Sequence, residues 1–160
     1  MFSLPSAAIC RGIIAGLMIG TIAVGPGWAA EPSTGLASGA IKTAFDAIQA
    51  AWSQEDAEAL VTWFGARKVL LRLPGSQSEA RRFSPQQSFL ILRDYFATHK
   101  VSGFEFVQVK VPETEGGVAV GLAEITWRKY GVGRFKVGRV LMVLAMEESS
   151  WRITEIQALR

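Results

Sequence analysis

Residues 118–146 decide the fold, and they read VAVGLAEITWRKYGVGRFKVGRVLMVLAM. Two long stretches rich in β-branched and aliphatic side chains, residues 118–129 and 136–146, flank a turn containing Gly131 and Gly133. Such stretches on either side of a short glycine-rich loop are typical of neighbouring antiparallel strands. This segment therefore predicts the central hairpin of an antiparallel sheet.

Similar patterns extend the sheet in both directions along the chain. Residues 104–111 precede the hairpin and residues 151–159 follow it, each separated from it by a short polar or glycine-containing turn. Consecutive strands joined in this way form a meander. A strand at residues 68–73, a turn at Pro74-Gly75 and a short strand ending at Phe83 are predicted earlier in the chain.

Three helices are predicted before the meander. The first carries a single apolar stripe made of Ile41, Phe45, Ile48 and Trp52. The second is predicted to begin at Ser53, and the third at Ser84, followed by a first-turn proline and a glutamine in capping-box register. Helices segregated from an antiparallel sheet predict an α+β domain, in which the N-terminal helices pack on a curved, mainly antiparallel sheet.

The order of these elements resembles a known superfamily. Two opening helices, a strand running into Leu73-Pro74-Gly75, a helix starting at Ser84-Pro85 and a final strand at Trp151-Arg152-Ile153 look like the nuclear transport factor 2-like (cystatin-like) superfamily. Within it, the chain resembles a small exported bacterial family of unknown function. The resemblance implies a cone-shaped sheet that encloses a pocket, and often a dimer.

The first 29 residues have the pattern of an export signal. Arg11 precedes an uncharged apolar run at residues 12–25, and Gly27 and Ala29 supply small residues for cleavage. The alternative is an uncleaved anchor, because residues 12–30 are about long enough to span a bilayer. Pro26-Gly27 interrupts that stretch, so we expect cleavage after Ala29 and a periplasmic or secreted protein, with no membrane contact after cleavage.

The predicted organisation is a signal at residues 1–29, a linker at 30–38 and a single α+β cone domain at 39–160. Cys10, the only cysteine, leaves with the signal. The mature chain then has no disulfide and no thiol, and it has one histidine and a formal charge of +2 once Arg11 is removed. We expect no cofactor and no metal site.

Two carboxylates are the candidate catalytic residues. Glu105 and Glu124 fall on different strands of the meander, and each shares its strand parity with valines or leucines. A carboxylate in apolar surroundings suits general acid or base chemistry, because burial raises its pKa. The alternative is that both lie on the solvated outer face. The superfamily's tyrosine donors are not carried over to Tyr95 or Tyr130, and His99 is expected to be a solvated residue at a helix end.

Four helix aromatics are the candidate lining of an apolar ligand pocket: Phe45, Trp52, Phe89 and Phe96. The strand at residues 136–146 is apolar on both faces, which is typical of a strand covered on both sides. Because the helices cover only one side of the sheet, we expect a second copy of the chain to cover the outer face and form a homodimer. Arg81-Arg82 and the basic run at residues 128–139 are interpreted as solvated positions, so no nucleic acid partner is expected.

The sequence therefore predicts an exported, non-catalytic domain that binds a small apolar ligand or another protein. The alternative is a small isomerase, dehydratase or hydrolase that uses a pocket carboxylate. A weaker hypothesis is polyanion binding by the basic run.

Overall fold

The computed structural model describes residues 34–112 and 117–160, with side chains from residue 39 onward. The predicted signal, and the linker up to residue 33, lie outside these residues. The described residues belong to one compact unit. None of the described helices is long and apolar enough to cross a bilayer.

Three helices and six strands make up the described chain. The helices are α1 (Thr34–Ser53), α2 (Ala57–Val61) and α3 (Pro85–Thr98). The strands are β1 (Val69–Arg72), β2 (Arg81–Phe83), β3 (His99–Lys110), β4 (Val118–Lys129), β5 (Lys136–Glu147) and β6 (Ser150–Ala158). They form one sheet in the order β2-β1-β6-β5-β4-β3, antiparallel except where β1 lies parallel to β6. The α+β class and the meander are confirmed.

The helix boundaries differ from the predictions at two points. Helix α1 already begins at Thr34, inside the predicted linker. It also extends through Ser53, so the cap of α2 is Asp56, whose carboxylate accepts a hydrogen bond from the Ala59 amide at 2.9 Å. Glu55 makes the turn between them at φ 58°.

The start of α3 agrees with the prediction. The Ser84 hydroxyl accepts a hydrogen bond from the Gln87 amide, and the Gln87 side chain accepts one from the Ser84 amide. Pro85 occupies the first turn, where its missing N–H costs nothing. This reciprocal cap fixes where α3 begins and therefore which of its residues face the sheet.

The core lies between the helices and the concave face of the sheet. Trp52 is fully buried at its centre, stacked on Phe104 with ring centroids 4.9 Å apart and edge-on to Phe96 at 5.3 Å. Val140, Met142 and Leu144 cover the concave face of β5 and are completely buried.

Candidate functional site

A cavity of about 530 Å³ lies between α3 and the β1–β2 hairpin. We refer to it as the hairpin cavity. Its apolar wall consists of Leu71, Leu73, Phe83, Ile91 and Tyr95. Its polar lining includes Arg72, Ser76, Ser78, Glu79, Arg81, Asp94, Thr98 and His99. Its volume is in the range of small-molecule sites, and its lining combines an apolar wall with eight polar or charged side chains.

The turn at the rim of the hairpin cavity is fixed by its sequence. Gly75 has a φ of 79°, and the Ser76 amide donates a hydrogen bond to the Leu73 carbonyl at 3.1 Å. Residues 73–76 thus form a type II β-turn, which favours proline and glycine at its two central positions. A Cβ on Gly75 would also collide with the Trp127 indole. The rim therefore packs directly on a buried aromatic of the sheet.

Tyr95 and His99 both line the hairpin cavity. Tyr95 lies in the last turn of α3, and His99 follows the helix as the first residue of β3. Their rings stack with centroids 4.4 Å apart and an angle of 13° between planes. The His99 ring also contacts Trp127 at a centroid distance of 5.4 Å. Because His99 has an extended backbone, helix spacing alone does not predict this pair.

The environment of His99 favours its neutral form. Partial burial lowers its pKa and the nearby Lys129 charge lowers it further, while the Tyr95 carbonyl acts in the opposite direction. His99 Nδ1 lies 3.1 Å from that carbonyl oxygen, which can only accept a hydrogen bond. This contact favours a proton on Nδ1 and leaves Nε2 as an acceptor.

Tyr95 carries a hydroxyl that is enclosed but unsatisfied. Burial raises the pKa of this phenol, so it stays protonated well above neutral pH. Among the described residues its oxygen has no hydrogen-bond partner, and neither does the buried Trp52 Nε1. Leaving a buried polar group unpaired costs about 1–3 kcal/mol.

Glu105 and Glu124 do not line the hairpin cavity. They are directly opposite each other on β3 and β4, and both are exposed on the outer face of the sheet. The Glu124 carboxylate lies 3.3 Å from an Arg139 guanidinium nitrogen. A bulge at Val107 defeats the parity argument for Glu105, because it places Glu105 and Val109 on opposite faces. Glu124 does share a face with Val120 and Leu122, but that face is the outer one.

The four aromatics expected to line a pocket are not brought together at one cavity. Trp52 is fully buried in the core, and Phe96 packs against it. Phe89 and Phe96 border a separate open groove with Glu55 and Arg93. Phe45 is almost completely buried and packs edge-on against Phe106 at 4.8 Å. A stripe of apolar side chains on a helix identifies the buried face but does not separate core from cavity lining.

Within residues 34–112 and 117–160, no cluster of three or more histidine, cysteine, aspartate or glutamate side chains is arranged to hold a metal ion. The carboxylates that do line the hairpin cavity are Glu79 and Asp94, and both are exposed. The arrangement is suited to holding a molecule by apolar contact and a few hydrogen bonds.

Comparison with known proteins places the chain in a family. The family described as Domain of unknown function (DUF4783) matches residues 45–158. No curated protein matches the chain. Among solved structures, a DUF4783 family protein from Bacteroides ovatus is 17% identical, with a TM-score of 0.56 over 70% of this chain and 90% of its own.

Two further solved structures extend the likeness of fold. A ketosteroid isomerase-like protein from Erwinia carotovora atroseptica is 18% identical, with a TM-score of 0.58 over 76% of this chain and 95% of its own. A protein of the NTF2-like family from Streptomyces avermitilis is 14% identical, with a TM-score of 0.58 over 78% and 96%. At such identities the likeness concerns the fold alone. The chain therefore belongs to the DUF4783 family and has the α+β fold of the nuclear transport factor 2-like superfamily.

Proposed function

We propose that the protein is an exported domain that binds a small, largely apolar molecule in the hairpin cavity and does not convert it chemically. The observation that carries this proposal is the cavity itself: about 530 Å³, walled by aliphatic and aromatic side chains. Tyr95 and His99 line the cavity beside these apolar side chains and would lie next to a bound molecule.

Binding is favoured over catalysis by where the carboxylates lie. The alternative of an isomerase, dehydratase or hydrolase needs a carboxylate held away from water, since desolvation is what tunes it for proton transfer. Glu105 and Glu124 are exposed on the outer face, and Glu124 is paired with Arg139. Nothing in their placement favours the enzymatic alternative.

Filling the hairpin cavity should weaken ligand binding. The probe is 1-anilinonaphthalene-8-sulfonate, whose fluorescence rises when it enters an apolar site. Ile91 lines the cavity, and the larger indole of Ile91→Trp would occupy part of it. We expect this variant to bind the dye at least about tenfold more weakly, because the dye loses apolar contacts with the cavity wall. Fluorescence titration measures the change.

A matched control sits one residue away. Leu90 is exposed on α3 and does not line the cavity, so Leu90→Trp adds the same side chain outside it. We expect wild-type affinity for this variant. Equal dye binding by the wild type, Ile91→Trp and Leu90→Trp would place the apolar site elsewhere and contradict the proposal.

Export is the part of the proposal that rests on the sequence alone. A basic start, an uncharged run at residues 12–25 and a small-residue exit support it. N-terminal sequencing of the protein from a periplasmic or culture fraction checks it. We expect Ala30 as the first residue, whereas an exported chain that starts at Met1 would contradict cleavage.

The outer face of the sheet supports a further part of the proposal, a homodimer. Val120, Leu122, Leu141 and Val143 are half-buried neighbours on β4 and β5 and form an apolar patch that no described element covers. Charges of both signs surround it, including the Glu124–Arg139 pair. Across a two-fold axis, the acidic residues around one patch can pair with the basic residues around the other. We therefore propose that a second copy of this chain covers the patch.

A further inference from the structure

The tip of the β4–β5 hairpin, residues 128–137, stands out in solvent. All of these residues except Arg128 are exposed. A Cβ built on Gly131 or Gly133 would meet no heavy atom within 4 Å. We call this segment the basic tip. Because they are exposed, the side chains of residues 129–137 are available to a partner.

Charge is concentrated in the basic tip. Arg128, Lys129, Arg134 and Lys136 lie within it, and residues 125–138 contain no aspartate or glutamate. The whole chain has a net charge of +3, so the rest of the chain, with these four cations set aside, is slightly acidic. The basic tip is therefore one of two basic segments, since residues 67–82 carry five cations against Glu79 alone.

Apolar side chains are exposed beside these cations. Tyr130, Val132, Phe135 and Val137 have relative exposures of 47%, 57%, 46% and 73%. Single exposed apolar residues are ordinary, but a group of them on one projecting turn marks an interaction site. From the sequence alone this run is interpreted as solvated basic positions, and no membrane contact is expected. The joint exposure of its apolar side chains changes both interpretations.

We infer that the basic tip docks on a membrane surface containing anionic phospholipid. Cations bind the lipid phosphates, and aromatic and aliphatic side chains enter the boundary between headgroups and acyl chains. Soluble polyanions such as nucleic acids or heparin would use the cations and aromatics. They would leave Val132 and Val137 without a role, and this is why the lipid surface is favoured.

Internal contacts hold the basic tip in place for this role. The Arg128 guanidinium lies 4.8 Å from the Phe135 ring centroid, and Lys136 Nζ lies 5.5 Å from that of Trp127. The Tyr130 amide donates a hydrogen bond to the Thr98 carbonyl at 2.8 Å. Thr98 and His99 also line the hairpin cavity, so a docked tip would bring the cavity close to the membrane. The inference itself does not depend on what the cavity binds.

Vesicle co-sedimentation tests the inference. The chain is mixed with vesicles of phosphatidylcholine alone or with added phosphatidylglycerol, and binding to the anionic vesicles is expected to be stronger and to fall with salt. Each cation near such a surface contributes about a fivefold factor in partitioning. Lys129→Gln combined with Arg134→Gln should therefore weaken anionic binding about 25-fold.

The control removes the same charge elsewhere. Arg67 and Lys68 are exposed residues that precede β1, outside the basic tip, so Arg67→Gln with Lys68→Gln should change binding far less. Val132→Ser with Phe135→Ser keeps every cation and should also weaken vesicle binding. Equal losses from the two charge variants would overturn the inference. Equal binding to neutral and anionic vesicles would also overturn it. So would a chain that binds heparin through the basic tip but does not bind vesicles.

Discussion

Substituting Gly121 with alanine is expected to destabilise the fold by about 1–3 kcal/mol, the usual cost of overpacking a core, and valine more. Gly121 is buried in the middle of β4, on the concave face. A Cβ there would lie 2.5 Å from Phe45 Cε1 and 2.7 Å from Phe106 Cε1. Those two rings pack edge to face and are held by α1 and β3. A Cβ at this position therefore requires the two rings to shift out of their present packing.

Chemical denaturation of Gly121→Ala measures this loss, and Gly138→Ala is the matched control. Gly138 is a β5 glycine whose added Cβ would find its nearest neighbours, Trp127 and Ile125, at 3.9 and 4.0 Å. That is ordinary contact, so we expect its free energy of unfolding to change by less than about 0.5 kcal/mol. Combining Gly121→Ala with Phe106→Leu should recover part of the loss. Equal stability of the two alanine variants would show that the Phe45–Phe106 contact does not depend on Gly121.

The second large effect is expected at the outer sheet face. Leu141 is one of the four residues of the apolar patch and pairs with Leu122 on β4. In a two-fold dimer, Leu141→Lys would bring two like charges into a desolvated contact. Removing a central contact of an interface typically costs 2 kcal/mol or more, so the dimer dissociation constant should rise at least about 30-fold.

Sedimentation at micromolar concentration measures the dimer, with Leu90→Lys as the control. Leu90 is exposed on α3, away from the outer face, and its substitution makes the same chemical change. We expect wild type and Leu90→Lys to sediment as dimers and Leu141→Lys as a monomer. A monomeric wild type at this concentration would contradict the proposed homodimer.

Much of the fold could be predicted because its signals are local. The cap of α3 needs only Ser84, Pro85 and Gln87 in register, and all three act as the spacing predicts. The two faces of β5 follow from alternation alone. Where two local signals compete, the sequence decides less well, as at Ser53 and Asp56, where the helix continued past the first candidate cap.

The candidate site was harder to predict because its residues are joined by long-range pairing. Leu71 lies at the cavity because β1 pairs in parallel with β6. No local sequence pattern predicts such a parallel pairing. The bulge at Val107 arises from the pairing of β3 with β4. Alternation along β3 alone therefore could not predict which face of the sheet carries Glu105. Trp52 shows the third difficulty, since its apolar stripe is equally consistent with core and with cavity.

Native mass spectrometry of the chain purified without denaturation from the exported fraction tests ligand binding in the hairpin cavity most directly. The proposed function predicts a wild-type chain that carries a small non-covalent adduct, absent from Ile91→Trp and retained by Leu90→Trp. The released molecule should also be recovered unchanged after incubation with fresh protein. A bare wild-type chain, or an adduct that Ile91→Trp retains, would contradict the account.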